Sequence, residues 1–293
     1  MSVFLSEKST IVRNNRGAGG WLDGLSGLFH PWSHQRHQLA EGRRMYLAPE
    51  RAVSPPALPE PAGGVVLAVP GFNPHLAARI WGAERGEAAP LVLLVHDWEG
   101  QIHDMLGFVQ PLLDQGARVV AFDAPAHGRS SGDETNLLEM ARAIRAVAVA
   151  AGGKLAGVIA HGVGAAALTL AIQDGLQAGR AVLLAPLVDL TLPLRQIAHV
   201  LRLDMEAEHA LTRSVDKALG QPLAALHLHG DVYTPSLLIH SADDRIMPVS
   251  DALLLAATWP GMATHLVQGL GHRRLLSDAD VVEHSVGFAL RGR

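Results

Sequence analysis

From Val65 to the C-terminus the chain alternates short apolar runs with longer amphipathic stretches, and this rhythm restricts its fold more than any other feature. Leu91–His96 (LVLLVH) is apolar without interruption, as a strand covered on both faces must be. Arg118–Asp123, Leu155–Ala160, Ala181–Ala185, Ser236–His240 and Thr264–Gln268 read the same way, with helical spacing between them. Val65–Val69 and Leu76–Trp81 read as two further strands joined by the turn PGFNP. Strands that alternate with helices imply an α/β fold, a mostly parallel, doubly wound sheet with helices on both faces. Between Pro186 and Pro235 the strand rhythm stops, and LPLRQIAHVLRL and EAEHALTRSVDKALG look helical. That insertion is expected as a cap above the carboxyl ends of the strands, where open α/β sheets bind ligands.

The expected organisation is therefore an N-terminal extension with a Pro-rich linker (1–64), a core in two pieces (65–186 and 236–293), and a helical cap (187–235). In the extension, Trp21, Leu22, Leu25, Leu28 and Phe29 fall at helical spacing and suggest a short docking helix. His30, His34 and His37 approach one helical face, but Pro31 and Arg36 interrupt them and no cysteine or nearby carboxylate completes a zinc site. No metal and no cofactor are expected.

Composition excludes several function classes. Hydrophobic residues make up 48% and charged residues 18%, which supplies a sizeable core. The net charge of −4 gives no electrostatic footprint for nucleic acid. With no cysteine, thiolate nucleophiles, thiolate metal sites and disulfides are absent. The window Leu155–Ile172 has the length of a membrane span, but His161 and its glycines read better as strand, turn and helix. No signal-peptide core follows the start, so a cytoplasmic protein without a transmembrane segment is expected; oligomeric state stays open.

Four landmarks in order carry a resemblance. LVLLVHDWEG places Asp97 where a glycine is usual and Trp98 at an oxyanion-hole amide. FDAPAHGRSSG, SLLIHSADDRIMP and GLGHRR follow. Together they resemble the α/β-hydrolase superfamily over about residues 65–290. The resemblance implies an α/β-hydrolase fold, an acid at Asp244, a base at His272, oxyanion amides at Trp98 and Val163, and His96, Asp97 and His161 around the pocket. It also implies a nucleophile in a G-x-S-x-G turn between a strand and a helix. The chain has Ala160-His161-Gly162-Val163-Gly164 there, so the nucleophile position is Gly162.

A glycine cannot form an acyl-enzyme. It does accept positive φ without the strain, on the order of 1–3 kcal/mol, that other residues bear at such a turn. Gly162→Ser is thus expected to restore the elbow serine beside His272. Three readings stay open. The chain is an atypical or inactive hydrolase that binds a small acyl or apolar ligand or a protein partner; or His272 and Asp244 act as a serine-free general-base dyad; or an unidentified nucleophile hydrolyses esters. A remote fourth is dinucleotide binding, since Gly162–Ala167 fits G-x-G-x-x-A, although the next strand ends in Ala185-Pro186 and not in an acid.

Overall fold

The computed structural model describes residues 31–51, 59–228 and 233–291, and side chains from residue 36 onward. The helix expected around Trp21–Phe29 lies outside these residues, as do His30 and the His34 side chain.

Eight strands form one sheet in the order β1-β2-β4-β3-β5-β6-β7-β8. They are β1 (Val65–Val66), β2 (Ala78–Trp81), β3 (Leu91–Val95), β4 (Arg118–Phe122), β5 (Gly157–His161), β6 (Ala181–Leu184), β7 (Ser236–Ser241) and β8 (Met262–Val267). β1 and β2 pair antiparallel with their neighbours, and every pairing from β4 through β8 is parallel. All residues of β3, β4, β5, β6 and β7 are buried, which explains their unbroken apolar runs. The first two strands are shorter than their sequence runs suggest. Leu67 still bonds back to Ala78 through its amide, but Val65 and Val66 are exposed at the sheet edge.

The helices are α1 (Pro31–Leu47), α2 (Val109–Asp114), α3 (Leu137–Ala150), α4 (Gly162–Gln173), α5 (Leu192–Leu201), α6 (Met205–Leu219), α7 (Val249–Thr258) and α8 (Ala279–Leu290). One apolar cluster on one face of the sheet joins α3 and α4 to α5 and α6, and a second on the other face joins α2 and α8. Asn136, Asp204 and Asp278 cap α3, α6 and α8 by accepting a backbone N–H, each worth about 1 kcal/mol. The single helix expected near 101–115 is a 3₁₀ stretch, Ile102–Phe108, followed by α2. The Asp123 carboxylate, 21 residues along the chain, takes the Ile102 amide at 2.7 Å and pins the start of the segment.

Pro31 and Arg36 do not interrupt the segment as expected, since residues 31–47 form one helix, and Arg36 and His37 stay exposed on it. Pro31 opens α1, a position where its missing N–H costs nothing. This helix packs on α5 and α6, and Gly42 lets it approach Leu211 and Ile197. The segment expected as a cap thus holds α5 and α6, and α1 packs against both. Among the described residues no helix is long and apolar enough to cross a membrane.

Candidate functional site

β5 runs directly into α4 at His161-Gly162, and Gly162 has φ of 54°. This is the sharp turn expected at the nucleophile position. Gly164 sits one step on, where an added Cβ would collide with the His96 carbonyl, so α4 packs close on the end of β3.

The loop after β3 carries His96, Asp97 and Trp98. Glu99 adopts a left-handed φ of 57°, an uncommon state for a non-glycine residue that often marks functional loops. A neighbouring loop braces it: the Ala124 amide donates to His96 Nε2 at 2.8 Å, and the His127 ring packs on both His96 and Trp98. That neighbour is the D-x-P-x-x-G landmark, and its role here is mechanical. Asp123 accepts the Ile102 and Arg129 amides, and the Ser130 hydroxyl donates to the Asp123 carbonyl. At Gly128, with φ of 46°, any Cβ would overlap the Asp123 carboxylate.

Asp244 and His272, expected as acid and base, come from the loops after β7 and β8. Asp244 accepts the Ile246 and Met247 amides, which leaves its Oδ2 facing His272 Nδ1 at 2.8 Å. Ser241 Oγ accepts the Leu270 and Gly271 amides, and Asp243 accepts that of Gly269. These bonds clamp the two loops together and aim the imidazole.

The opposite edge of that imidazole meets Asp97. Its Oδ2 lies 3.0 Å from His272 Nε2, while its Oδ1 accepts the Val163 amide at 2.6 Å. A Cβ built on Gly162 would overlap this same carboxylate. Asp97 therefore occupies the space into which an elbow side chain would project. This corrects two expectations. The Val163 amide is not open as an oxyanion donor, because Asp97 already takes it. A serine at 162 cannot simply be restored, because the carboxylate stands where its side chain would go.

Burial penalises the charge on His272, but hydrogen bonds to Asp244 and Asp97 outweigh that penalty and raise its pKa to about 9. Burial also works against ionised Asp97, yet His272, the nearby His161 and the Val163 amide hold its carboxyl well below the usual range. Asp244 is lowered too, against its own burial, chiefly by His272. The array is a buried carboxylate–imidazolium–carboxylate sandwich. The His161 ring lies tilted against that of His272, centroids 4.5 Å apart, and bonds the His272 carbonyl through Nε2. Burial and then the charge on His272 push it down to about 4. Asp97, His161 and His272 also converge closely enough to be tested as metal ligands. The direct hydrogen bonds that already join them satisfy the carboxylate without an ion.

Beside the sandwich lies a narrow cleft of about 440 Å³ of empty space, part of it open to solvent. Trp98 and Val163 line it together with the apolar Leu137, Leu187, Leu190 and Ile197, and with Tyr46 and Asn136. Tyr46 and Met45 come from α1, so the N-terminal extension builds part of the cleft. Sequence reasoning placed Asp97 only in the pocket and missed its contact with His272. The available signal was reciprocal: a side chain gained at 97, where glycine is usual, and one lost at 162.

The sequence profile of the Alpha/beta hydrolase family matches residues 92–284. No curated protein sequence matches the chain. Among solved structures, an esterase from Pyrococcus furiosus superposes with TM-score 0.59 at 17% identity, over 84% of this chain and 98% of that one. The 2-hydroxy-6-oxo-6-phenylhexa-2,4-dienoate hydrolase from Rhodococcus sp. strain RHA1 gives 0.58 at 15% identity, over 78% and 99%. The esterase RhEst1 from Rhodococcus sp. ECU1013 gives 0.54 at 18%, over 77% and 98%. At these identities the likeness concerns the fold. The chain belongs to the α/β-hydrolase family.

Proposed function

We propose that this protein is an atypical α/β hydrolase without serine-hydrolase chemistry, whose cleft takes a small apolar ligand. The observation that carries the reading is the Asp97 carboxylate held between His272 Nε2 and the Val163 amide. Serine acylation needs three things: a hydroxyl at the elbow, a neutral imidazole to deprotonate it, and a free amide for the oxyanion. Here the elbow is Gly162, His272 is held as imidazolium, and the Val163 amide is engaged. The cleft walls favour an apolar ligand, because burying aliphatic surface there is worth roughly 25 cal/mol per Å² while unmatched polar groups lose their water. A second reading, in which His272 and Asp244 alone serve as general base, is disfavoured by the same contact, since the basic nitrogen already faces Asp97.

Fluorophosphonate labelling, short-ester turnover and calorimetric binding of 1-hexanol test the proposal together. The expected result is no labelled serine, no turnover, and hexanol binding that Leu190→Trp abolishes by filling the cleft. Stoichiometric labelling of any serine, or hexanol binding untouched by Leu190→Trp, defeats the reading.

A further inference from the structure

We infer that His265, Asp280 and His284 form a binding site for a divalent cation of the zinc class, and that the ion ties together the two ends of the loop that carries His272. His265 lies on β8 at the edge of the sheet, and Asp280 and His284 lie one turn apart on α8. The site shares no residue with the elbow array. His265 Nε2 stands 2.9 Å from Asp280 Oδ2, and His284 Nδ1 stands 3.1 Å from Asp280 Oδ1. Each nitrogen thus faces a different oxygen of one carboxylate, and one ligand atom from each residue falls within 4.8 Å of the others. The two imidazoles stack, with centroids 4.2 Å apart and planes 21° from parallel, so they reach the carboxylate as a pair. Zinc bonds to imidazole nitrogen and carboxylate oxygen are about 2.0–2.2 Å long, and two of them meeting at a right or tetrahedral angle set their donor atoms roughly 3–3.5 Å apart. The contacts to Asp280 already have the spacing of neighbouring ligands on one ion.

The donor set selects the ion. Two imidazoles and one carboxylate suit zinc and its first-row neighbours, whereas magnesium and calcium prefer oxygen ligands throughout. The side chains of His265, Asp280 and His284 are 27%, 56% and 47% exposed, so water can complete the coordination and the ion can enter without disturbing the core. His284 Nδ1 also lies 2.9 Å from the Asp280 carbonyl, and binding exchanges that hydrogen bond for a bond to the ion. The consequence for the elbow follows from connectivity. His272 sits in the loop 268–278, which leaves β8 after Val267 and enters α8 at Ala279. His265 and Asp280 flank that loop, and an ion bound to both fastens it at its base.

Calorimetric titration of the chelator-treated protein with zinc chloride tests the site. The expected result is one equivalent bound per chain, with no binding heat from magnesium chloride. Losing an outer partner of a zinc site already weakens binding about 10–100-fold, so His265→Gln, Asp280→Asn and His284→Gln should each weaken it at least that far. At about 100 times Kd the ion should raise the melting temperature of the unaltered chain by about 4 °C. It should also slow amide exchange across residues 268–278. Without zinc the same substitutions should leave the melting temperature nearly unchanged, as for a screened surface pair. Anomalous scattering at the zinc edge from the unaltered chain locates the ion, so the outcome does not depend on any variant folding. Absence of zinc binding, an ion located at other histidines, or binding that survives all three substitutions overturns the site. Binding at the site with exchange in the loop unchanged overturns its tie to His272.

Discussion

Histidine and aspartate meet at two places in this molecule, and the two constellations share their atoms but not their surroundings. At the elbow, His272 lies between Asp97 and Asp244 at 3.0 and 2.8 Å, with 2% of the imidazole side chain exposed. Between β8 and α8, Asp280 lies between His265 and His284 at 2.9 and 3.1 Å, with exposures from 27% to 56%. The distances are nearly equal. In the first place water is excluded, so each charge depends on its protein partners; in the second, solvent screens the pair and offers alternative partners. Equal geometry therefore carries unequal weight, and burial decides which cluster shapes the site.

Removing a partner is the strongest way to break this contrast. Asp97→Ala leaves the His272 charge short of one carboxylate and the Val163 amide without an acceptor. Breaking a buried pair costs about 3–5 kcal/mol, so denaturant melts should show a loss of that size. A change under about 1 kcal/mol would place the elbow pair in the surface class.

Next in size is the elbow itself. Gly162→Ser should be destabilising by more than the roughly 1–3 kcal/mol of turn strain, because its side chain also meets the Asp97 carboxylate. It should gain no fluorophosphonate labelling. The double variant Asp97→Gly/Gly162→Ser clears the space, frees the Val163 amide and releases His272 Nε2. It should label and hydrolyse short esters, and lose both properties when His272→Ala is added. Labelling by the single variant would show that Asp97 is easily displaced.

A pH series sharpens the comparison further. His272 is raised in the folded state from 6.5 to about 9, so its stabilising contribution is full below about 6.5 and is lost as pH rises through about 9. Melting temperatures of the unaltered protein should approach those of His272→Gln across that window, and the imidazole resonances should titrate near its upper end. A midpoint near 6.5 would mean that the carboxylates do not hold the proton.

The smallest effect belongs to the surface. Asp280→Asn should change stability by about 0–1 kcal/mol, and less at high salt, because exposed pairs of this kind are screened.

Much of the frame was legible along the chain. LVLLVH, RVVAFD and SLLIH are unbroken because their strands are covered on both faces, and the structure buries every residue of the corresponding β3, β4 and β7. His272 and Asp244 could be paired because each follows its own landmark, and the 2.8 Å contact is there. Less could be read where a segment answers to a distant partner. Ile102–Phe108 is 3₁₀ because Asp123 holds its first amide, and residues 31–47 are helical despite a polar sequence because α5 and α6 supply the surface they pack on. Neither cause is local.

The amino-acid sequence alone determined that residue 162 is a glycine, with no side-chain oxygen or sulfur, and that apolar runs would stack into a parallel sheet. It also showed a carboxylate at 97 where a glycine was expected. Only the tertiary structure decided that these two departures concern one volume of space. Asp97 and Val163 are 66 residues apart, and Asp97 and His272 are 175 apart. The parallel pairing of β3 with β5 brings their carboxyl ends side by side, so a carboxylate leaving one strand fills the gap beside the next. Local periodicity carries burial and secondary structure; it carries no information about which side chains from separate strands compete for one cavity.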